Sequence, residues 1–135
     1  MKITTKGRYA ISIMLNLANN YESGEFLSLK DISEKEGISL KYLERIIGDL
    51  KKEDYFLSSR GSDGGYKLKY EPSHYKIGDI LNTAEREMAP VECVKEDNLC
   101  PKQAMCKTYP IWKDINDEIT KVLNSKTLED YMERK

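Results

Sequence analysis

A chain of 135 residues that is 39% hydrophobic has material for one modest core and little surplus for a second, so a single compact unit with an appended element is expected. A charged fraction of 33% and a formal net charge of -1 argue against a membrane-embedded chain and against a strongly basic nucleic-acid coat. The charge is unevenly spread: residues 1–70 carry 12 Lys and Arg against 10 Asp and Glu, while residues 71–135 carry 10 against 13, so only the first half suits a polyanion.

The opening MKITTKGRYAISIMLNLANN sets Lys2, Lys6 and Arg8 before an apolar run in the manner of a secretory signal. Ser12 and Asn16 interrupt that run and no small-residue cleavage pattern follows, so the expected location is the cytoplasm. Tyr9, Ile13 and Leu17 recur every four residues with Ala10, Met14 and Ala18 beside them, which predicts an amphipathic helix that Gly24 brings to a break. Ser28 is a candidate N-cap with Asp31 three positions on, and Gly37 ends that short helix. Ser39 caps the next one, whose Leu43, Ile46, Ile47 and Leu50 share a face. Two helices joined by a glycine-containing turn predict a helix-turn-helix.

The period then changes. Tyr66, Leu68 and Tyr70 alternate with Lys67 and Lys69, FLSSR precedes them, and the pattern predicts a hairpin with its tip from Gly61 to Gly65. Pro72 closes the hairpin, and IGDILNTA predicts a short helix with Ile77, Ile80 and Leu81 inward. After a cysteine-bearing loop, Pro110 opens a longer helix, where its missing N–H costs nothing. Trp112, Ile115, Ile119, Val122 and Leu123 form a seam on that helix; because the preceding module is small and self-sufficient, the seam is expected to pack on its twin in a homodimer. Thr127 and Asp130 repeat the capping-box spacing ahead of a last short helix with Leu128 and Tyr131. The expected fold is mainly α with a small β-hairpin wing: a winged helix-turn-helix module over 1–87, a cysteine-containing sensor loop over 88–109, and a dimerisation helix with a short terminal helix over 110–135.

Helix, helix-turn-helix and hairpin, in that order, suit double-stranded DNA, with a recognition helix in the major groove and a wing along the backbone. Ser39, Lys41, Tyr42, Glu44 and Arg45 offer donors for phosphates and base edges, and Glu44 can accept from a cytosine amino group. Thr4, Thr5, Lys6 and Arg8 add hydroxyls and cations at the start of the first helix. Ser28 joins this DNA-facing set, as do Arg60 and the wing tip Gly61, Ser62, Gly64 and Gly65, where small residues let the backbone approach the duplex. A homodimer would read a palindromic operator.

All three cysteines, Cys93, Cys100 and Cys106, lie in CVKEDNLCPKQAMC, and an odd number in a reducing compartment points to free, metal-bound or redox-active thiols rather than disulfides. The absence of a C-x2-C or C-x4-C knuckle argues against structural zinc. With no C-x-x-C pair and no nucleophile–base arrangement, an enzyme is not expected.

MKITTKGRYAISIML, LSLKDISEKEGISLKYLERII, SSRGSDGGYKL, IGDIL and LNSKTLEDY together resemble the Rrf2 family of bacterial winged-helix transcription regulators over essentially the whole chain. Many relatives have proline in the wing tip where this chain has Ser62 and then Asp63. The resemblance is nearest to the IscR-like iron–sulfur branch, with NsrR-like and CymR-like branches as neighbours. It implies that Cys93, Cys100 and Cys106 hold an iron–sulfur cluster, 2Fe-2S or 4Fe-4S, with spacing C-x6-C-x5-C, one residue longer in the first gap than in IscR-like members. The fourth ligand is open. The histidine of IscR-like members falls at Tyr109, and the aspartate that NsrR-like members borrow from a partner falls at Arg8, which leaves His74, Glu92, Glu96, Asp97, Tyr109 or an exogenous thiol.

The function expected from this resemblance is a homodimeric DNA-binding repressor whose operator affinity follows the cluster. The alternatives are a cluster-free CymR-like regulator of sulfur and cysteine metabolism, acting through a partner enzyme or a thiol switch, and a winged helix that binds only protein.

Overall fold

A computed structural model describes residues 3–61, 64–85, 89, 90, 94 and 105–133. Among them, α1 spans Thr5–Asn19, α2 Leu29–Glu36, α3 Leu40–Leu50, β1 Phe56–Ser59, β2 Gly65–Leu68, α4 Ile77–Glu85 and α5 Tyr109–Ser125. This is the winged helix-turn-helix with a long C-terminal helix that the sequence predicts. Ser28 and Ser39 act as the expected N-caps: the Ser28 hydroxyl accepts from the Asp31 amide at 3.0 Å and the Ser39 hydroxyl from the Tyr42 amide at 3.4 Å. Between α2 and α3 the chain turns at Gly37, whose φ of 67° is a left-handed conformation that costs a side-chain-bearing residue energy. The Ser33 hydroxyl, donating to the Ile38 carbonyl, closes the same turn.

The core sits where α1, α3 and α4 meet. Ala10, Ile13, Met14 and Leu17 of α1 pack with Leu43, Ile46 and Leu50 of α3 and Ile80 of α4, and Ile32 seals α2 onto them. Asn16 is buried on α1 as well, its amide donating at 2.8 Å to both the Ser12 carbonyl and Glu36. A buried polar side chain is tolerated because its donors are satisfied.

The wing is an antiparallel pair with Phe56 opposite Leu68 and Ser59 opposite Gly65. Gly65 is therefore a strand residue rather than the last residue of the tip that the glycine pattern predicts; β2 stops at Leu68, short of Tyr70. Pairing with Leu27 explains the shift: Leu27 and Tyr66 exchange two backbone hydrogen bonds at 2.9 Å, so β2 is gripped from a second side at the residue after Gly65. At the wing base, Lys69 and the Tyr70 hydroxyl both donate to Asp54, at 2.9 and 2.8 Å, and the Tyr75 hydroxyl donates to the Tyr55 carbonyl at 2.7 Å. These bonds brace the hairpin against the 3-10 turn Pro72–His74 that leads into α4.

Past α5 the chain returns to the module. Ile77 donates to the Lys126 carbonyl at 2.9 Å and Leu128 to the Tyr75 carbonyl at 3.0 Å, and Leu128 is fully buried in the same core as α1. The Thr127–Asp130 capping box is present, but the element it opens is a 3-10 turn over Leu128–Tyr131 rather than an α-helix. Among the described residues no helix is long and apolar enough to cross a membrane.

Candidate nucleic-acid interface and cysteine segment

Recognition-helix side chains are presented as their spacing predicts. Leu43, Ile46, Ile47 and Leu50 are buried on one side of α3, and Ser39, Lys41, Glu44 and Arg45 are exposed on the other. Tyr42 is half-buried, its ring meeting Tyr9 of α1 edge-on at 5.6 Å. Between α3, the start of α2 and the wing lies an open cleft of about 630 Å³. It gathers Ser28, Glu44, Arg60 and the glycines 61, 64 and 65 from three separate stretches of sequence. Ser62 lies outside the described residues.

Two cations in this cleft were not singled out by the sequence reading: Lys30, in the first turn of α2, and Lys51, at the end of α3 with its ammonium 4.9 Å from the centre of the Tyr66 ring. The signal was available for Lys30, which follows an N-cap facing the wing; Lys51 looks in sequence like one more charge on a solvated helix end. The cleft thus holds Lys30, Lys51 and Arg60 beside Glu44, a positive setting around one acceptor.

The start of α1 carries the hydroxyls and cations that its sequence offers for phosphate contacts, and some of them have partners within the chain. Thr5 and Arg8 are exposed, but Lys6 is ion-paired with Asp49 of α3 and Thr4 is hydrogen-bonded to Glu85. Lys6 and Thr4 therefore tie α1 to α3 and α4. Arg8 lines a separate apolar cleft of about 370 Å³ with Ile3, Tyr9, Ile11, Ser12 and Leu81, away from the cleft between α3 and the wing.

Of the cysteines, Cys106 is described and Cys93 and Cys100 lie outside the described residues, as do Glu92, Glu96 and Asp97. Cys106 is exposed just ahead of α5, with its sulfur 3.4 Å from the Thr108 hydroxyl. That hydroxyl first, then the amides of Thr108 and Tyr109, hold the thiol below the ordinary cysteine range, as donors at a helix start stabilise a thiolate. Tyr109 is the first residue of α5, and His74 stacks on Tyr70 at 4.3 Å at the wing base. Among the described residues no group of three or more His, Cys, Asp and Glu side chains is arranged to hold a metal ion.

On α5, Ile115 and Val122 are 42% and 56% exposed, joined by Ile111 at 52%, which the sequence reading left out of the seam. Trp112, Ile119 and Leu123 are half-buried, and Leu123 rests directly against Gly78 of α4, where a Cβ would fall 2.9 Å from the Leu123 backbone oxygen. The seam is thus divided, with Leu123 serving the chain's own α4.

The Rrf2 family, iron-dependent transcriptional regulators, matches residues 3–134. The chain belongs to the Rrf2 family. It is 39% identical over 132 residues to Protein rrf2 of Nitratidesulfovibrio vulgaris, covering 98% of this chain and 87% of that protein. Among solved structures, CymR, the global cysteine regulator of B. subtilis, is similar with a TM-score of 0.80 and 38% identity, covering 97% of this chain and 95% of CymR. IscR of T. potens is similar with a TM-score of 0.74 and 34% identity, covering 97% and 85%. As an Rrf2 member the chain is a transcription regulator with a DNA-binding winged helix, and not an enzyme.

Proposed function

We propose that this Rrf2 regulator is a cytoplasmic homodimer whose affinity for a palindromic operator is set by an iron–sulfur cluster held by Cys93, Cys100 and Cys106. The observation that carries the reading is the Cys106 thiol, held toward its thiolate form by Thr108 and Tyr109 at the start of α5. A thiolate is the ligand form that iron requires, and Cys106 stands three residues ahead of the helix bearing the exposed Ile111, Ile115 and Val122. The iron-dependent description of the family supports the same reading. When bound, the cluster supplies one-electron redox chemistry and reactivity toward oxygen or nitric oxide.

In this reading each protomer contributes Lys41, Tyr42, Glu44 and Arg45 to a major-groove half-site, with Lys30, Lys51, Arg60 and the wing glycines along the flanking phosphates. The α5 seam packs on its twin and sets the separation of the two half-sites. By linkage, if the cluster favours the DNA-competent arrangement, DNA must tighten the hold on the cluster by the same factor. Strictly anaerobic purification tests the proposal: iron and sulfide content with a visible absorption band are expected, each lost when any one cysteine is changed to alanine. Operator affinities of cluster-free and reconstituted protein at one salt concentration should then differ; a colourless, iron-free protein binding its operator at full strength would sink it.

A second reading is a cluster-free regulator of sulfur metabolism working through a partner enzyme or a thiol switch. It is supported by the similarity to the CymR of B. subtilis and by Tyr109 and Arg8 standing where related branches place a fourth ligand. Operator binding that responds to thiol oxidation in iron-free protein would select it.

A further inference from the structure

The N-cap of α1 is unusual for its sequence. Thr4 occupies the cap position with extended backbone, yet its side chain makes none of the cap hydrogen bonds threonine normally supplies. The work is done from 81 residues away: one carboxylate oxygen of Glu85 accepts from the Thr4 amide at 2.8 Å, from the Thr4 hydroxyl at 2.7 Å and from the Gly7 amide at 2.9 Å. A carboxylate suits this place because it meets the positive end of the helix dipole and takes charge-assisted hydrogen bonds. The approach is so close that a Cβ on residue 7 would stand 2.1 Å from the same oxygen, so only glycine admits Glu85.

The position of Glu85 in the chain gives this cap a second meaning. It is the last residue of α4, and Cys93 follows eight positions later. On the other side of the contact, the first turn of α1 carries exposed Thr5 and, through Lys6 and Asp49, is ion-paired to the recognition helix α3. A local cap by Thr4 would hold α1 whatever α4 did; a cap supplied by Glu85 makes the start of α1 depend on the end of α4.

We propose that Glu85 is a positioning residue that couples the cysteine-bearing segment to the DNA-facing module by holding the start of α1, and through the Lys6–Asp49 pair the recognition helix, in register with α4. This rests on the reading that the cysteine-bearing segment is the sensor. Two variants test it: Glu85→Gln, which keeps shape and an acceptor but removes charge, and Glu85→Asp, which keeps charge and shortens the reach. Amide exchange at residues 4–8 and operator affinity are measured with and without iron and sulfide loading, and again after the thiols are capped with a maleimide.

In Glu85→Gln the Gly7 amide should exchange about tenfold faster. The ratio of operator affinities between loaded and unloaded protein should fall toward one, with iron content and spectrum unchanged, and Glu85→Asp should recover part of that ratio. A cap with a purely structural role would weaken both states equally and leave the ratio at its wild-type value, which would overturn the proposal. If the wild-type protein takes up no iron, the sensor reading fails by its own readout, and the maleimide arm decides the coupling. Thiol capping should change exchange at residues 4–8 in the wild type and not in Glu85→Gln; equal responses in the two proteins, or none in the wild type, would overturn it.

Discussion

The first 85 residues and helix α5 use similar amphipathic patterns to opposite ends. In α1 and α3 the apolar residues are driven into one core, with Ile13, Met14 and Leu43 fully buried. In α5, 17 residues long and carrying Ile111, Trp112, Ile115, Ile119, Val122 and Leu123, no residue is buried. The hydrophobic effect depends on apolar area taken from water, so the same kind of stripe fills the core in one region and stays partly exposed in the other. An apolar stripe reports the side of a helix that wants cover and is silent about what covers it.

That contrast can be broken from either side. The largest effect is expected at Leu128, which lies beyond α5 yet inside the core: Leu128→Ala should cost about 2–5 kcal/mol of stability, read from a shift in the denaturant midpoint. Val122→Glu, by comparison, removes nothing from that core and should leave the circular dichroism spectrum unchanged while abolishing self-association in sedimentation equilibrium; a persistent dimer would place the interface elsewhere.

Next in size is the recognition helix. Arg45→Ala should weaken operator binding by about 1–3 kcal/mol if its guanidinium reads a base. Lys51→Ala should instead weaken all sequences alike and lower the slope of log affinity against log salt by about one. Mobility shifts over a salt series separate the two behaviours.

A smaller effect is expected at the junction of the two regions. Because hydrogen bonds from Thr108 favour the thiolate of Cys106, its deprotonated form persists to lower pH than that of an ordinary cysteine. Thr108→Val removes the largest of those contributions and should move the pH profile of Cys106 alkylation upward, measured in protein with the other two cysteines changed to alanine. An unmoved profile would mean that the backbone amides alone set the thiol.

The smallest effect belongs to the brace of the wing. Asp54 titrates below an ordinary carboxyl because Lys69 and then Tyr70 donate to it, so what it contributes is present above its unfolded pKa and lost as pH falls through the lower folded value. Both partners are exposed to solvent, so salt screens the pair, and Asp54→Asn should barely move the unfolding midpoint.

Much of this protein is legible residue by residue. The caps at Ser28, Ser39 and Thr127 are interactions between residues three apart, and the buried faces of α1 and α3 follow from the helical period, so chain order alone determines them. The exposed residues of α3 follow by elimination once its buried face is known. Tertiary structure alone decided the cover of Gly7 by Glu85, the pairing of Lys6 with Asp49, the grip of Leu27 on Tyr66, the place of Lys51 in the cleft and the return of Leu128 to the core. Each of these joins residues far apart in sequence, where no local period or cap spacing carries a signal. Such contacts exist only because packing the core brings the elements within hydrogen-bonding distance.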